Sequence, residues 1–373
     1  MSQDVPALVD VEDVRPRVDA ILQQHVAQLR SVLAVASADA DVLADAVEQM
    51  LSGGKRLRAA FCYWSWRAHG GQPGTPEAEA VLRVGAALEL FQAAALFHDD
   101  VMDDSDTRRG FPAAHRSFSA VHAAHGFTGD ADKFGESAAI LLGDLTLVAS
   151  EQEFAGALAL QPWPRIQRAR AVFDLMRTEV TIGQYLDVLA QALPWGDDPA
   201  ADEARAREVI RAKSARYSVE HPIVLGAALA DADEPELAAC RSLGLPLGEA
   251  YQLRDDLLGV FGDPDATGKP AGDDLREGKR TVLVARSLAR ALETGDDGTV
   301  ALLREHLGDR GMTSDVVDLL TSAIDATGAP HEVEQLIDDL SGRAFAVMDG
   351  LAWPEPARSR LAALAHAAVD RHS

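Results

Sequence analysis

The chain has 373 residues, of which 47% are hydrophobic and 5% aromatic, enough apolar material for a sizeable core. Acidic residues outnumber basic ones by 59 to 35, and the formal net charge of −24 argues against nucleic acid and anionic membrane surfaces as partners. The two cysteines, Cys62 and Cys240, lie outside any metal-ligand spacing. Buried free thiols are therefore expected, as is a cytoplasmic location.

Most of the chain shows helical patterning. Stretches with the periodicity of amphipathic helices, such as Val14 to Val35 and Ile166 to Leu193, alternate with short runs rich in Gly and Pro. Runs with the two-residue alternation of strands are nearly absent. The pattern predicts an all-α fold: a single-domain antiparallel helical bundle. Residues 1–45 are expected to form an acidic N-terminal extension with the first helix, and residues 46–373 the helical domain.

Neither a signal peptide nor a membrane span is expected. Residues 1–14 contain four acidic side chains instead of a basic region followed by an apolar one. The longest apolar candidate, around Gly85 to Phe97, is interrupted by Glu89 and Gln92 and falls short of the ~20 residues that cross a bilayer. We therefore expect a soluble protein.

The first motif in chain order is basic. Residues 53–58 read Gly-Gly-Lys-Arg-Leu-Arg and come just before an apolar run. Glycines allow close backbone approach, and cations at a helix start can bind phosphate. The spacing is not that of a P-loop, and the motif alone would also suit an ordinary basic helix start.

The first acidic motif follows a long apolar segment, Val81 to Phe97. Residues 98–104 read His-Asp-Asp-Val-Met-Asp-Asp, and the motif is closed by Arg108-Arg109-Gly110. Residues four apart share one face of a helix, so Asp99 and Asp103 should project together. Like charges at this spacing repel each other, so a bound cation is expected between them. Oxygen ligands beside basic side chains suit Mg²⁺.

The second acidic motif lies about 150 residues further on, in the apolar segment Leu243 to Phe261. Residues 252–259 read Gln-Leu-Arg-Asp-Asp-Leu-Leu-Gly. Taken alone, Asp255 and Asp256 would also suit a solvated helix end. Because a partner motif exists, we favour a metal-loaded rim around an apolar pocket, built from two buried helices that each carry carboxylates.

Several shorter motifs are less specific when taken singly, because each would also suit a surface salt bridge. The shorter motifs are Gly183-Gln184-Tyr185-Leu186-Asp187, Lys213-Ser214, Gly268-Lys269-Pro270 and Gly278-Lys279-Arg280.

The histidines His122 and His125 are spaced three residues apart. Two histidines at this spacing can bind a metal, but packing is the simpler interpretation.

Taken together and in this order, the motifs resemble those of the trans-type polyprenyl (isoprenyl) diphosphate synthases, most of all geranylgeranyl diphosphate synthases. The resemblance runs through roughly residues 50–290 and rests on five motifs in sequence. It implies a Mg²⁺-dependent prenyltransferase that condenses isopentenyl diphosphate with an allylic diphosphate (dimethylallyl, geranyl or farnesyl). It also implies a homodimer of all-α bundles, each built around a deep central cavity.

The resemblance also implies roles for individual residues. About three Mg²⁺ ions would hold the allylic diphosphate, with Asp99, Asp103 and Asp255 as their ligands. Supporting carboxylates would be Asp100 and Asp256. Residues that bind the allylic diphosphate would be Arg108, Lys213, Ser214, Gln252, Lys269 and Lys279. Residues that bind isopentenyl diphosphate would be Lys55, Arg58, Gln92 and Arg109. Catalytic residues would be the five aspartates and Lys213.

The chain departs from the family pattern at three points. Gly259 stands where many members carry a third Asp of the second motif, and Asp263, one turn further on, is a candidate substitute. The first motif has two residues between its Asp pairs, which is its short form. Gln92 occupies a position that many relatives fill with His.

Product length in this family depends on the helix that precedes the first acidic motif. Each helical turn of 5.4 Å is close to the reach of one isoprene unit. Ala94 and Ala95 lie one turn before Asp99, where farnesyl synthases place bulky aromatics; Phe91 and Leu90, one turn deeper, would form the floor. We therefore predict the C20 product geranylgeranyl diphosphate, with C25 or longer as the alternative. The structural alternative is that the two alanines only allow close packing where two helices cross.

Two other classes of protein share some of these features. A class I terpene cyclase also carries an Asp-rich motif, but it would lack the basic motif and would have an Asn-Ser-Glu second metal site. A non-catalytic prenyltransferase subunit tends to lose residues of the Asp motifs, and both motifs stand here. The synthase is the preferred interpretation.

Overall fold

Helices dominate the structure, a computed structural model that describes residues 11–196, 198–262 and 272–370. Strands in these residues are limited to one two-stranded hairpin. The all-α prediction is confirmed. The chain divides into two compact units, one formed by Met1–Val172, Pro222–Ala238 and Trp353–Ala367, the other by Phe173–His221, Ala239–Ala352 and Ala368–Ser373.

Elements wholly in the first unit come from the N-terminal half of the chain. They are 3₁₀ turns at Val11–Asp13 and Ala38–Ala40, helices α1 (Val14–Ala36), α2 (Asp41–Leu51), α3 (Leu57–Ala68) and α4 (Pro76–Met102), strands β1 (Thr107–Arg108) and β2 (Phe111–Pro112), and helices α5 (Ala114–His125) and α6 (Ala131–Leu158).

The remaining elements lie in the second unit or contain a boundary between the units. Those containing a boundary are α7 (Trp163–Ala192), α9 (His221–Leu229), α10 (Glu234–Phe261) and α16 (Ala357–Val369). Those within the second unit are α8 (Pro199–Val209), a π-helix (Ile210–Glu220), α11 (Asp273–Glu277), α12 (Val282–Thr294), α13 (Asp297–His306), α14 (Ser314–Ala326) and α15 (Ala329–Asp349).

Helix α4 forms the core of the first unit. Gly85 brings it close to α3, since a Cβ at that position would lie 2.9 Å from Cβ of Ala59. Buried Ser150 of α6 donates a hydrogen bond to the carbonyl oxygen of Ala87 at 2.7 Å. Because α4 is fixed by both neighbours, the acidic residues at its C-terminal end are fixed as well.

By length and composition alone, α4 could cross a membrane, contrary to the sequence expectation that no segment is long enough. However, 78% of its most apolar 18-residue window is buried inside the protein. Such burial is typical of the core helix of a globular protein.

Several local predictions are confirmed and one is wrong. The cysteines Cys62 and Cys240 are buried and not bonded to each other. One of the Gly-rich runs that the sequence places between helices, Gly126 to Gly135, is a shorter turn than expected, because α6 already begins at Ala131. Residue 135 lies within α6, and it is suited to glycine because a Cβ there would lie 3.0 Å from the Ser119 nitrogen of α5.

The two closely spaced histidines serve packing. Nε2 of His122 lies 3.3 Å from the carbonyl oxygen of Thr128, and its ring contacts those of Phe127 and Phe134. His125 stacks on Phe127 at a centroid distance of 5.4 Å. These contacts agree with the packing interpretation.

Candidate active site

The first acidic motif ends helix α4. Thr75 caps the start of the helix by accepting a hydrogen bond from the Ala78 nitrogen. At the other end, the Asp103 nitrogen donates to the Asp99 carbonyl oxygen at 2.7 Å, so both aspartates belong to the same helical turn. Asp99 is partly exposed, whereas Asp100 and Asp103 are buried.

Asp100 is the counter-ion of Arg108. The Arg108 Nε donates to Asp100 Oδ1 at 2.8 Å, and Nη2 contacts the same oxygen. Arg108 is held by the hairpin, where it pairs with Phe111 across a two-residue turn. The turn residues, Arg109 and Gly110, have φ angles of 55° and 78°, as a type I′ turn requires. The hairpin therefore presents two consecutive arginines beside the acidic motif.

A cluster of four arginines lies in the first unit. Burial lowers the pKa of Arg109, the charge of Glu89 opposes this shift, and the charges of Arg56, Arg108 and Arg58 lower the pKa further. Guanidinium groups this close to one another, with one buried carboxylate among them, produce a positive potential that suits a polyanion. The structure thus brings together three residues predicted to bind diphosphate, Arg58, Arg108 and Arg109.

Arg56, which the sequence analysis did not assign, anchors the basic motif. Its side chain is 4% exposed and its φ is +53°, in the left-handed region. Nε donates to Asp19 Oδ1 at 2.7 Å, Nη1 donates to Glu89 Oε2 at 3.3 Å, and Nη2 contacts the Leu51 carbonyl oxygen. The guanidinium therefore ties the loop after α2 to both α1 and α4.

Arg109 completes this anchoring from the hairpin. Its Nη1 donates to the carbonyl oxygens of Met50 and Ser52 at 2.6 and 2.7 Å. These carbonyls lie at the C-terminal end of α2, where backbone acceptors lack helical partners. A Cβ on Gly54 would lie 2.5 Å from Arg56 Nη1 and 3.6 Å from Arg109 Nη2, so the motif requires glycine there.

The other residues assigned to isopentenyl diphosphate and to product length also lie in the first unit. Lys55 is exposed and Gln92 partly exposed. Along α4, Ala95 is partly exposed, whereas Ala94 and Phe91 are 2% and 5% exposed. Of the two alanines, Ala95 is thus the more exposed; the roles of these residues remain predictions.

In the second unit, two hydrogen-bonded chains connect predicted site residues. Lys213 Nζ donates to Asp187 Oδ2 at 2.6 Å, which links the Lys-Ser motif to the Gly-Gln-x-x-Asp motif. Ser214 Oγ donates to Gln252 Oε1, and Gln252 Nε2 donates to Asp256 Oδ1 at 2.8 Å. One network therefore connects the π-helix to α7, and the other connects the π-helix to α10.

Lys213 and Ser214 lie on a π-helix where the sequence predicts an ordinary helix. The backbones of two neighbouring helices, α7 and α10, approach the backbone of the π-helix closely. A Cβ on Gly183 of α7 would lie 2.6 Å from the Lys213 Cα, and one on Gly248 of α10 would lie 2.7 Å from the carbonyl carbon of Ala215. π-Helices are rare and recur at functional sites. The glycines explain how wider helical turns fit between two neighbours.

Ionic contacts tie the far end of the π-helix to α7. Glu179 Oε2 lies 2.6 Å from His221 Nε2, and Arg216 Nη1 donates to Glu179 Oε1 at 2.7 Å. Burial alone would raise the pKa of Glu179, but the hydrogen bond and charges of His221 and Arg216 lower it overall. Gly183 lies one turn after Glu179, between this contact and the Lys213–Asp187 pair.

The two aspartates of the second motif differ in environment. Asp255 is partly exposed, whereas Asp256 is 6% exposed. Burial raises the pKa of Asp256 to about 8; the Gln252 hydrogen bond opposes this shift, and the carboxylates of Asp274 and Asp255 add to it. Asp256 thus belongs to the scaffold, and Asp255 is accessible.

Lys279 lies beside α11. Its Nζ is 3.4 Å from Asp274 Oδ1 and contacts Glu277. Lys269 and Asp263, the predicted phosphate ligand and the candidate substitute carboxylate, lie outside the described residues.

The donor set suits Mg²⁺. The candidate ligands are carboxylate oxygens with arginines and lysines beside them. The imidazole of His98, which begins the first motif, lies 3.4 Å from Asp144 of α6. Within residues 11–196, 198–262 and 272–370, no three side chains are already gathered for a metal ion. Mg²⁺ needs no such cage, because it is bound by one or two carboxylates together with phosphate oxygens and water.

Sequence reasoning missed residues that act through others. Arg254, between Leu253 and Asp255, is buried; its two Nη atoms contact Glu334, and its Nε donates to the Val369 carbonyl oxygen at 3.0 Å. The only available signal was the position of a charged residue inside an apolar helix, which predicts a buried partner without identifying it.

A family model described as polyprenyl synthetase matches residues 40–323. A geranylgeranyl diphosphate synthase of Mycobacterium tuberculosis is 30% identical over 305 residues, covering 80% of this chain and 75% of that protein. An octaprenyl diphosphate synthase of Escherichia coli is 29% identical over 323 residues, covering 86% of each. The crystal structure of geranylgeranyl pyrophosphate synthase from Corynebacterium glutamicum, complexed with isoprenyl diphosphate and magnesium, is 37% identical with a TM-score of 0.89, covering 99% of this chain and 100% of that one.

Proposed function

The chain belongs to the polyprenyl synthetase family, and we propose that it makes geranylgeranyl diphosphate. It is an isoprenyl diphosphate synthase, a prenyltransferase that joins isopentenyl diphosphate to an allylic diphosphate. The observation that carries the C20 length is the partial exposure of Ala95, one turn before Asp99, with buried Phe91 one turn deeper. The M. tuberculosis relative and the C. glutamicum structure are named for the same product. The octaprenyl relative shows that the family also makes longer chains.

We assign about three Mg²⁺ ions to Asp99, Asp103 and Asp255, together with oxygens of the allylic diphosphate. When bound, Mg²⁺ stabilises the negative charge that develops on the departing diphosphate. The protein's own contribution is to hold each ligand in place. In support of this, the neighbouring carboxylates Asp100 and Asp256 accept hydrogen bonds from Arg108 and Gln252.

The basic residues bind the two diphosphates. Lys213 and Ser214 would orient the allylic diphosphate, supported by the Asp187 and Gln252 hydrogen bonds that fix them. Lys279 and Lys269 are assigned to the same group. We assign Lys55, Arg58, Gln92 and Arg109 to isopentenyl diphosphate, and the arginine cluster around Arg109 supports this.

The chemistry requires positioning and dryness more than a protein nucleophile. The allylic carbon–oxygen bond breaks, diphosphate leaves with the electron pair, and a delocalised carbocation remains. The double bond of isopentenyl diphosphate then attacks this carbon, and the new carbocation loses one proton to the released diphosphate, which forms the double bond of the product. Water would quench the cation, so an apolar surface such as that of α4 must exclude it.

The test is a product assay on the purified chain. Incubation with radiolabelled isopentenyl diphosphate, Mg²⁺ and dimethylallyl, geranyl or farnesyl diphosphate, followed by dephosphorylation, should yield geranylgeraniol on reversed-phase chromatography. Alcohols of 25 or more carbons would overturn the C20 assignment. Cyclic hydrocarbons would indicate a cyclase, and no product with any primer would indicate a non-catalytic subunit.

We also propose that the enzyme is a homodimer. Helix α6 exposes an apolar stripe at seven-residue spacing, in which Phe134, Leu141 and Val148 are 40%, 62% and 54% exposed. A second copy can cover this stripe by packing the same helix against it. Light scattering should give a dimer mass, and Leu141→Lys should shift it toward the monomer. The exposed Leu319 of α14 provides the control, since Leu319→Lys should leave the mass unchanged.

A further inference from the structure

The space next to Gly259 is filled by a carboxylate from another helix. Gly259 lies four residues after Asp255 on α10, so a side chain there would project from the same face. A Cβ built on Gly259 would lie 2.6 Å from Cγ of Asp274 and would contact its Oδ2 still more closely. The backbone of residue 259 fixes the position of its Cβ, so no side-chain torsion at residue 259 relieves this overlap. Residue 259 can therefore carry a side chain only if Asp274 moves.

The backbone fixes Asp274 in this position. Helix α11 begins after Gly272, whose φ is +70° and whose missing side chain leaves room for Val317 Cγ1 of α14. The Lys279 nitrogen donates to the Asp274 carbonyl oxygen at 3.0 Å, and the Lys279 ammonium lies 3.4 Å from Asp274 Oδ1. Helix α11 is thus held at both ends.

We propose that Asp274 supplies the third carboxylate of the second aspartate motif, from a position that the chain keeps open by having glycine at 259. The inference rests on the proposed Mg²⁺-dependent function. The electrostatics support it, because the charges of Asp274 and Asp255 both act on Asp256. The carboxylate of Asp274 therefore lies close enough to the second motif to interact with its aspartates. Lys279 is the cation that also acts on this group.

The geometry makes a reciprocal prediction. Asp274→Ala removes the carboxylate and should lower the affinity for Mg²⁺ by about tenfold or more, the usual effect of losing a supporting group at a metal site. Gly259→Asp alone should also lower the affinity, because two carboxylates then compete for one space. The double variant Gly259→Asp/Asp274→Ala restores one carboxylate in that space. It should regain more than half of the loss on a logarithmic scale, a coupling expected only of groups in contact.

The measurement is calorimetric titration of Mg²⁺ into the full chain with inorganic diphosphate, where no turnover occurs. Asp273→Ala is the matched control, because it removes the same charge from the adjacent residue at the start of α11. Asp274→Asn keeps the side-chain shape and should lose affinity like Asp274→Ala, which separates charge from folding. Circular dichroism checks that each variant is folded.

Two results would overturn the proposal. One is an Asp274→Asn affinity equal to that of the wild type; the other is a double variant no better than Asp274→Ala. Either result leaves the prenyltransferase function intact, since the wild type still binds Mg²⁺. If the wild-type chain takes up no Mg²⁺ with diphosphate, the metal-dependent function itself fails, and the assignment of Asp274 fails with it.

Discussion

Arg56→Met tests whether a buried ion pair positions the basic motif. The Arg56 and Glu89 side chains are 4% and 2% exposed, and the two groups lie 3.3 Å apart. Arg56 Nη1 donates to Oε2 of Glu89, and Oε1 of Glu89 has no hydrogen-bond partner among the described residues. Removing the guanidinium takes the hydrogen-bonded counter-ion from the buried Glu89 carboxylate and leaves it the charge of Arg109. We therefore expect a loss of about 3 kcal/mol in the free energy of unfolding, the lower end of the range for a broken buried ion pair. The loop carrying Lys55 and Arg58 also loses its attachments to Asp19 and Glu89.

The expected kinetic result is specific to one substrate. We expect the KM for isopentenyl diphosphate to rise and the KM for the allylic substrate to stay near the wild-type value, because Lys213 and Ser214 are held by other contacts. Arg67→Met is the matched control. Arg67 is also largely buried, and its Nε and Nη2 donate to Glu12 at 3.1 Å each. That variant should lose stability without a change in either KM.

The stability assay is chemical denaturation, and the kinetic assay varies each substrate in turn. Arg56→Met/Glu89→Met removes both charges and should recover part of the lost stability, since no unpaired carboxylate then remains. It should not recover the KM for isopentenyl diphosphate, because the loop stays unanchored. An equal rise of both KM values in Arg56→Met, or a matching rise in Arg67→Met, would refute a positioning role.

Three further predictions concern chain length, helix packing and pH. Ala95→Phe should shorten the product by one isoprene unit, from C20 to C15, since Ala95 is partly exposed one turn (about 5.4 Å) before the acidic motif; chromatography of the alcohols checks this, and an unchanged length contradicts it. Gly183→Ala should cost about 1–3 kcal/mol and raise the KM for the allylic substrate, because its Cβ would meet π-helix backbone. Gly342→Ala, with nothing within 4 Å, should be harmless in the same denaturation and kinetic assays. Glu179→Gln should lose the stability contributed by the His221 contact. Because the folded-state pKa of Glu179 is lowered from 4.5, the difference from wild type should be full above about pH 5 and vanish as pH falls through the lowered value; a pH-independent difference would contradict this.

The features that depend on local pattern could be predicted from sequence. The first long helix was expected from Val14 to Val35 and is found at Val14–Ala36. Helix α4 and its acidic end were expected because a long, mostly apolar segment followed by carboxylates leaves few other arrangements. The spacing of Asp99 and Asp103 follows from helix geometry alone.

The features that depend on distant backbone could not be predicted. The periodicity around Lys213 indicates a helix, but the hydrogen-bond pattern of a π-helix depends on how closely Gly183 and Gly248 let other helices approach. The relation between Gly259 and Asp274 joins residues in different helices, and no local rule connects them. The sequence therefore indicates that a carboxylate is missing at Gly259, but it directs attention to the nearby Asp263 and not to Asp274 of another helix.

The two acidic motifs divide their tasks in the same way. Adjacent residues on a helix point about 100° apart, so a pair of aspartates cannot present both carboxylates to one ligand. In the pairs Asp99-Asp100 and Asp255-Asp256 the second residue is buried and accepts a hydrogen bond from a protein side chain: Arg108 for Asp100 and Gln252 for Asp256. The first residue, Asp99 or Asp255, is partly exposed. The remaining pair of the first motif has the opposite order, with Asp103 buried and Asp104 exposed. A buried carboxylate with its own donor cannot turn toward a metal without leaving that donor unsatisfied. The doubled aspartate thus combines an anchor, which fixes the helix end, with a ligand, which the anchor holds in place.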